Sequence, residues 1–266
     1  TLASRRVLHY DFRPGGGSIL ADPITIARSL GHVMAANLGA PRHYLGRSIE
    51  RQEDLHPTGD TVLLIHGFWQ THGAMHNLEV RLQADGYRVL SFDLGGFAWR
   101  FNSRGIPYLA RRIATRLERL LERGDFGQLG IIGHSKGGLV GRYLVARLGW
   151  HRRVSTLVTL GTPHHGTPVA LAGLVTGMVS RSVWQMLPHS SLLEDLHEHP
   201  LPHTTRMVSV YSRSDIICPS QYSTLSSSDG ADVHNIVVNG LGHMELVDDP
   251  WVYGLILRQL RAGEGE

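Results

Sequence analysis

Apolar and polar positions fall into alternating blocks along this chain. Residues 61–66, Thr-Val-Leu-Leu-Ile-His, form an apolar run rich in β-branched side chains that stops at Gly67. Such a run, bounded by glycine and too short for a helix, predicts a buried strand. Similar runs occupy 87–92, 129–132, 154–160, 207–211 and 234–238. Helical periodicity lies between them. It is clearest over 107–123, where Leu109, Ile113, Leu117, Leu120 and Leu121 share a face and most of the arginines lie elsewhere. Pro107 suits a first turn and Gly124 a stop. Residues 138–148 and 250–261 also read as helices, and 24–38 looks helical within a first 60 residues of unassigned role.

Strands alternating with helices predict a mostly parallel, doubly wound α/β sheet with helices on both faces. Ligands in such sheets bind beyond the carboxyl ends of the strands. Residues of chemical interest should therefore stand just after strands. Residues 164–204 are a long strandless stretch, apolar for an insert.

The length of 266 residues suits one large domain, and 42% apolar residues allow a sizeable core. The formal charge of +3 is small and dispersed, which argues against a nucleic-acid partner. The cations are arginines apart from Lys136, the only lysine. A single cysteine, Cys218, excludes an internal disulfide and leaves cytoplasmic and secreted compartments open. No apolar run reaches the roughly 18 to 20 residues that span a bilayer. The sequence begins at Thr1, so it carries no information about a leader.

The strongest chemical signal is Gly133-His134-Ser135-Lys136-Gly137, a G-x-S-x-G motif set between a predicted strand and a predicted helix. That context makes Ser135 a candidate nucleophile on a sharp turn. The flanking glycines are needed because a side chain there would strike the neighbouring strand or helix. A phosphate loop would instead place lysine before Ser or Thr, and here Lys136 follows Ser135.

A serine hydroxyl needs a base, and the hydrolase order of partners is Ser, Asp or Glu, then His. His243 is the candidate base among seventeen histidines, because it is the last and lies between a strand and the final helix. Asp215, which follows the 207–211 strand, is the candidate acid. Asp229 and Asp232 compete from a Ser/Gly-rich loop further from any strand end. Two backbone N–H groups must face a developing oxyanion, and the candidates are those of Phe68, after the first strand, and Lys136.

Residues 62–68, 133–138, Gly161-Thr-Pro-His-His-Gly-Thr-Pro168, 208–215 and Gly242-His243 together resemble the bacterial lipases, of both Bacillus and Pseudomonas/Burkholderia types. The resemblance covers roughly residues 60–260 and implies the α/β-hydrolase fold. It implies ester hydrolysis by Ser135, Asp215 and His243, oxyanion donors Phe68 and Lys136, and no organic cofactor. Lys136 departs from the Gln or Met more usual after the nucleophile, and its charge either tunes the site or pairs with an acid. The calcium site and disulfide of the Pseudomonas type have no counterpart in the residues.

Esters with an apolar acyl chain are the expected substrates, with transient contact to a lipid interface. Residues 164–204 could serve as a lid. His66, Trp69, His134 and Trp184 are candidate substrate contacts, with Phe97 and Trp99 as further aromatics near a strand end. His164 and His165 invite a metal reading, but adjacent histidines on an extended chain diverge and no further ligand motif completes a site. The competing functions are a thioesterase, acyltransferase or polyester-cleaving enzyme on the same scaffold, and an inactive binding protein. A dinucleotide oxidoreductase is disfavoured because no G-x-G-x-x-G follows the first strand.

Overall fold

The structure, a computed structural model, describes residues 7–9, 60–97, 101–168, 170 and 180–263. The strands in chain order are β1 (Val7–His9), β2 (Thr61–Ile65), β3 (Arg88–Ser91), β4 (Gly96–Phe97), β5 (Phe101–Asn102), β6 (Leu129–His134), β7 (Val154–Leu160), β8 (Arg206–Ser212) and β9 (Val233–Val238). Seven of them form one sheet in the order β1-β9-β8-β7-β6-β2-β3, and every pairing in it is parallel. β4 and β5 make a separate antiparallel ribbon.

The helices are α1 (His76–Ala84), α2 (Ile106–Arg123), α3 (Lys136–Arg147), α4 (Arg181–Gln185), α5 (Ser191–Glu198), α6 (Ser220–Ser223), α7 (Glu245–Asp248) and α8 (Pro250–Gly263). Leu63 and Ile65 of β2 join a core with α2, α3, α4 and α5, while Val62 and Leu64 join a second core with α1 and α8. Successive strand residues point to opposite faces, and both faces are covered. The strands therefore read as continuous apolar runs. None of the described helices is long and apolar enough to cross a membrane.

The six expected strands are present, the one over 154–160 with the expected ends and the others with shifted ends. β6 extends through Gly133 and His134, because His134 still pairs with Leu160 of β7. α3 starts at Lys136, two residues earlier than periodicity indicates, so Ser135 alone makes the turn. α1 was not expected; its buried face consists of Leu78 and Leu82 only, too few to show a period. β1 extends the sheet beside β9 from a segment to which the sequence assigns no role. The helix expected over 24–38 lies outside the described residues.

An ion pair lies inside the fold. Arg142 of α3 and Asp229 are both fully buried and 2.8 Å apart. Arg142 also donates to Leu196 O of α5, and Asp229 accepts from the Ser226 N–H and hydroxyl and pairs with His197. Burial works against the charged carboxylate, but His197, Arg142 and the Ser226 N–H outweigh it and hold its pKa far below the usual range. Asp229 therefore ties α3 to α5 and the 226–229 loop.

Candidate active site

Ser135 sits at φ 53°, ψ −124°, between the end of β6 and the first residue of α3. Few L-residues adopt that backbone, and it costs on the order of 1–3 kcal/mol. The glycines around it are enforced by contact. A Cβ on Gly133 would lie 2.5 Å from Gly138 Cα, and one on Gly137 would lie 2.0 Å from Ile65 O. Strand β2 and helix α3 touch through backbone here, which brings the end of β2 against the elbow.

The floor of the site is the turn after β7. The Ser135 N–H donates to Leu160 O at 2.8 Å, and the Thr162 hydroxyl donates to Ser135 O at 2.9 Å. Between them, Gly161 has φ 53°, and a Cβ there would stand 3.0 Å from Asp215 Oδ2 and 3.1 Å from His243 Nδ1. A single three-residue turn thus holds the serine backbone on one side and an Asp–His pair on the other.

That pair is a 2.6 Å contact between His243 Nδ1 and Asp215 Oδ2, both residues buried. Asp215 Oδ1 accepts from the N–H groups of Ile217 and Cys218, each at 2.9 Å. With its oxygens committed as acceptors, the carboxylate orders the Nδ1–H tautomer and leaves Nε2 of His243 with a lone pair. No hydrogen bond joins that Nε2 to the Ser135 hydroxyl. The competing acids lie elsewhere. Asp229 is bonded to Arg142, and Asp232 pairs with His234 and Arg206.

Phe68 is half-buried in the turn after β2, and its N–H has no recorded acceptor among the described residues. The Lys136 N–H heads α3, where no preceding helical carbonyl can accept it. The Phe68 turn is shaped by two residues that sequence reasoning missed. Gln70 Oε1 accepts from Gly67 N–H at 2.7 Å and lies 3.1 Å from His134 Nδ1. Asn102 donates from Nδ2 to His66 O at 3.0 Å and accepts on its carbonyl from Trp69 N–H at 3.1 Å. No local motif marks either one; they matter because β5 crosses the turn.

His66 and His134 are fully enclosed. Burial pulls the His66 pKa down to about 3. Burial, with the neighbouring His243, holds His134 well below the ordinary imidazole range. His134 Nε2 lies 3.1 Å from His243 O, so this ring braces the His243 loop against the elbow. Trp69 is half-buried and Trp184 is exposed. Trp99 lies outside the described residues, and only the backbone of Phe97 is described. His164 Nε2 meets the Thr159 hydroxyl, and His165 stacks on His197. Among the described residues no cluster of three or more His, Cys, Asp or Glu could hold a metal ion. Among the described residues no acid pairs with Lys136; its amino group is bonded to oxygens of Asn102 and Arg104, and burial pulls its pKa well below the ordinary lysine range.

The sheet order, the elbow after β6 and the Asp–His pair after β8 and β9 define an α/β-hydrolase-fold protein. The α/β hydrolase fold family matches residues 60–180, which carry the Phe68 turn and the elbow. The chain is 31% identical over 115 residues to triacylglycerol lipases of Pseudarthrobacter phenanthrenivorans and Burkholderia plantarii, over 41% of its own length. The matched stretch spans 34% and 31% of those relatives, about a third of each. Among solved structures, a mature Bacillus licheniformis lipase shares the fold with a TM-score of 0.61, at 13% identity over 77% of this chain and 93% of that one. A Bacillus anthracis bromoperoxidase gives 0.60 at 18% identity, over 77% and 93%. A Paleococcus ferrophilus monoacylglycerol lipase gives 0.58 at 17%, over 77% and 96%. A fold shared by lipases and a bromoperoxidase leaves the chemistry to the site.

Proposed function

We propose that this protein is a serine hydrolase of carboxylic esters, with Ser135 as nucleophile, His243 as general base and Asp215 as its orienting acid. The observation that carries the reading is the turn from Leu160 to Thr162, which bonds the Ser135 backbone on one side and abuts the Asp215–His243 pair on the other. Nε2 of His243 takes the Ser135 proton as Oγ attacks the ester carbonyl. Asp215 stabilises the imidazolium and stays ionised. The oxyanion is received by the N–H groups of Phe68 and Lys136, helped by the positive end of α3. Collapse expels the alcohol and leaves an acyl-enzyme, which water hydrolyses by the reverse proton path. Catalytic hydrogen bonds commonly tighten only with substrate in place, which accounts for the unformed Ser135–His243 link.

The reading extends to the substrate. The described residues from Ser180 to Gln185, within the 164–204 stretch, act as part of a cap beside the site within a single hydrolase domain. In support, Ser180 and Ser182 donate hydroxyl hydrogen bonds to carbonyls of Ser103 and Arg104, and Gln185 accepts from Ile106 N–H, so α4 borders the Asn102 loop. Trp184 is 53% exposed on that helix, suited to contact a lipid surface. The test is hydrolysis of p-nitrophenyl esters of graded chain length. Ser135→Ala and His243→Ala should each lower kcat by about 10⁴-fold or more. Wild-type turnover in Ser135→Ala would refute the assignment.

A further inference from the structure

The sole lysine of this chain is sealed inside the protein. Lys136 is 0% exposed and no carboxylate meets it among the described residues. Its Nζ is surrounded by three oxygens: Asn102 Oδ1 at 2.7 Å, Arg104 O at 2.6 Å and, more loosely, Asn102 O at 3.4 Å. All three are acceptors, so the amino group donates to the two nearest, and burial pulls its pKa well below the ordinary lysine range. The Phe68 ring lies 5.5 Å away on another side.

Asn102 carries the contact onward. Its side-chain amide donates to His66 O and its main-chain carbonyl accepts from Trp69 N–H, so it grips the residues two before and one after Phe68 N–H. Its own N–H donates to Gln70 O at 3.1 Å. Trp69 is held at φ 55°, a conformation that a non-glycine side chain adopts at a cost. Something must hold that turn, and Asn102 bonds it on both sides.

Resting on the ester-hydrolase reading, we propose that Lys136 is a positioning residue for the oxyanion hole. Its backbone N–H is one donor; its side-chain amino group, through Asn102, fixes the turn that presents the other. The two donors come from segments far apart in the chain, and this bridge sets their separation before any negative charge develops. Preorganised donors stabilise a transition state without rearranging at the moment of reaction. A methionine would fill the same volume without burying a polar amino group, so packing alone does not call for a lysine here.

The experiment is steady-state hydrolysis of one p-nitrophenyl ester by the wild type, Lys136→Met, Asn102→Ala, the double variant and Ser135→Ala. Lys136→Met should lower kcat by about 10- to 100-fold, short of the loss of a whole donor, while KM changes by less than about threefold. Asn102→Ala should do the same. The double variant should be no worse than the poorer single one, because both break one bridge. A merely structural lysine would lower melting temperature and leave kcat per folded molecule intact, and that result overturns the proposal. So do multiplied losses in the double variant. Should Lys136→Met fail to fold, Asn102→Ala alone decides, by its kcat against its KM. Ser135→Ala separates the two readings: if it is active the hydrolase assignment fails, and if it is inactive while Lys136→Met and Asn102→Ala turn over normally, only the bridge fails.

Discussion

Replacing the proposed nucleophile by glycine should make this protein more stable than replacing it by alanine. Both changes remove the hydroxyl, so their difference isolates the backbone. Ser135 is held at φ 53°, ψ −124°, where a residue with a Cβ carries about 1–3 kcal/mol of strain. Glycine has no such penalty there, but it adds about 0.5–1 kcal/mol of chain entropy to the unfolded state. The net advantage of Ser135→Gly over Ser135→Ala is therefore about 0–2.5 kcal/mol. At roughly 2–4 °C per kcal/mol for a chain of this size, that is a rise in Tm of up to about 10 °C. Urea titration of both variants gives the comparison, provided m is unchanged. An internal control sits on α2, where Glu118→Gly should be less stable than Glu118→Ala by about 1 kcal/mol. A glycine variant at 135 less stable than the alanine variant by about 0.5–1 kcal/mol, the entropy term alone, would show that the elbow stores no strain, and the argument from its dihedrals would fail.

Two further predictions concern buried charge. His66, His134 and His164 are all enclosed and have lowered pKa values, with burial the leading cause in each case. As pH falls below about 6.5 the unfolded chain binds protons that the native state refuses, so stability falls on the acid side and these groups contribute no pH dependence above about 7. Three such protons give a limiting slope of about 4 kcal/mol per pH unit near pH 5. Urea midpoints between pH 7.5 and 4.5 measure it, and a flat profile would contradict the burial of these rings as neutral groups. Asp229→Ala should destabilise by about 3–5 kcal/mol, because it strands the Arg142 guanidinium in the core. A loss below about 1 kcal/mol by the same titration would mean that solvent reaches the arginine.

The order of strands and helices was legible in the chain because each element buries one stripe or both faces, and that demand writes itself into local periodicity. The elbow was legible for a related reason. The backbone of α3 excludes a Cβ at Gly133 and that of β2 excludes one at Gly137, so the motif is a steric requirement set down within five residues. His243 and Asp215 could be ranked from their positions after strands, yet sequence left Asp229 and Asp232 in competition. Only the tertiary structure separated them, by spending Asp229 on Arg142 and Asp232 on His234. Gln70, Asn102 and the environment of Lys136 had no local signature. Their roles come from the crossing of β5 over the turn after β2, between segments more than 30 residues apart in the chain. A hydrogen bond between distant segments leaves no period in a sequence, because nothing but the fold decides which polar groups finish side by side.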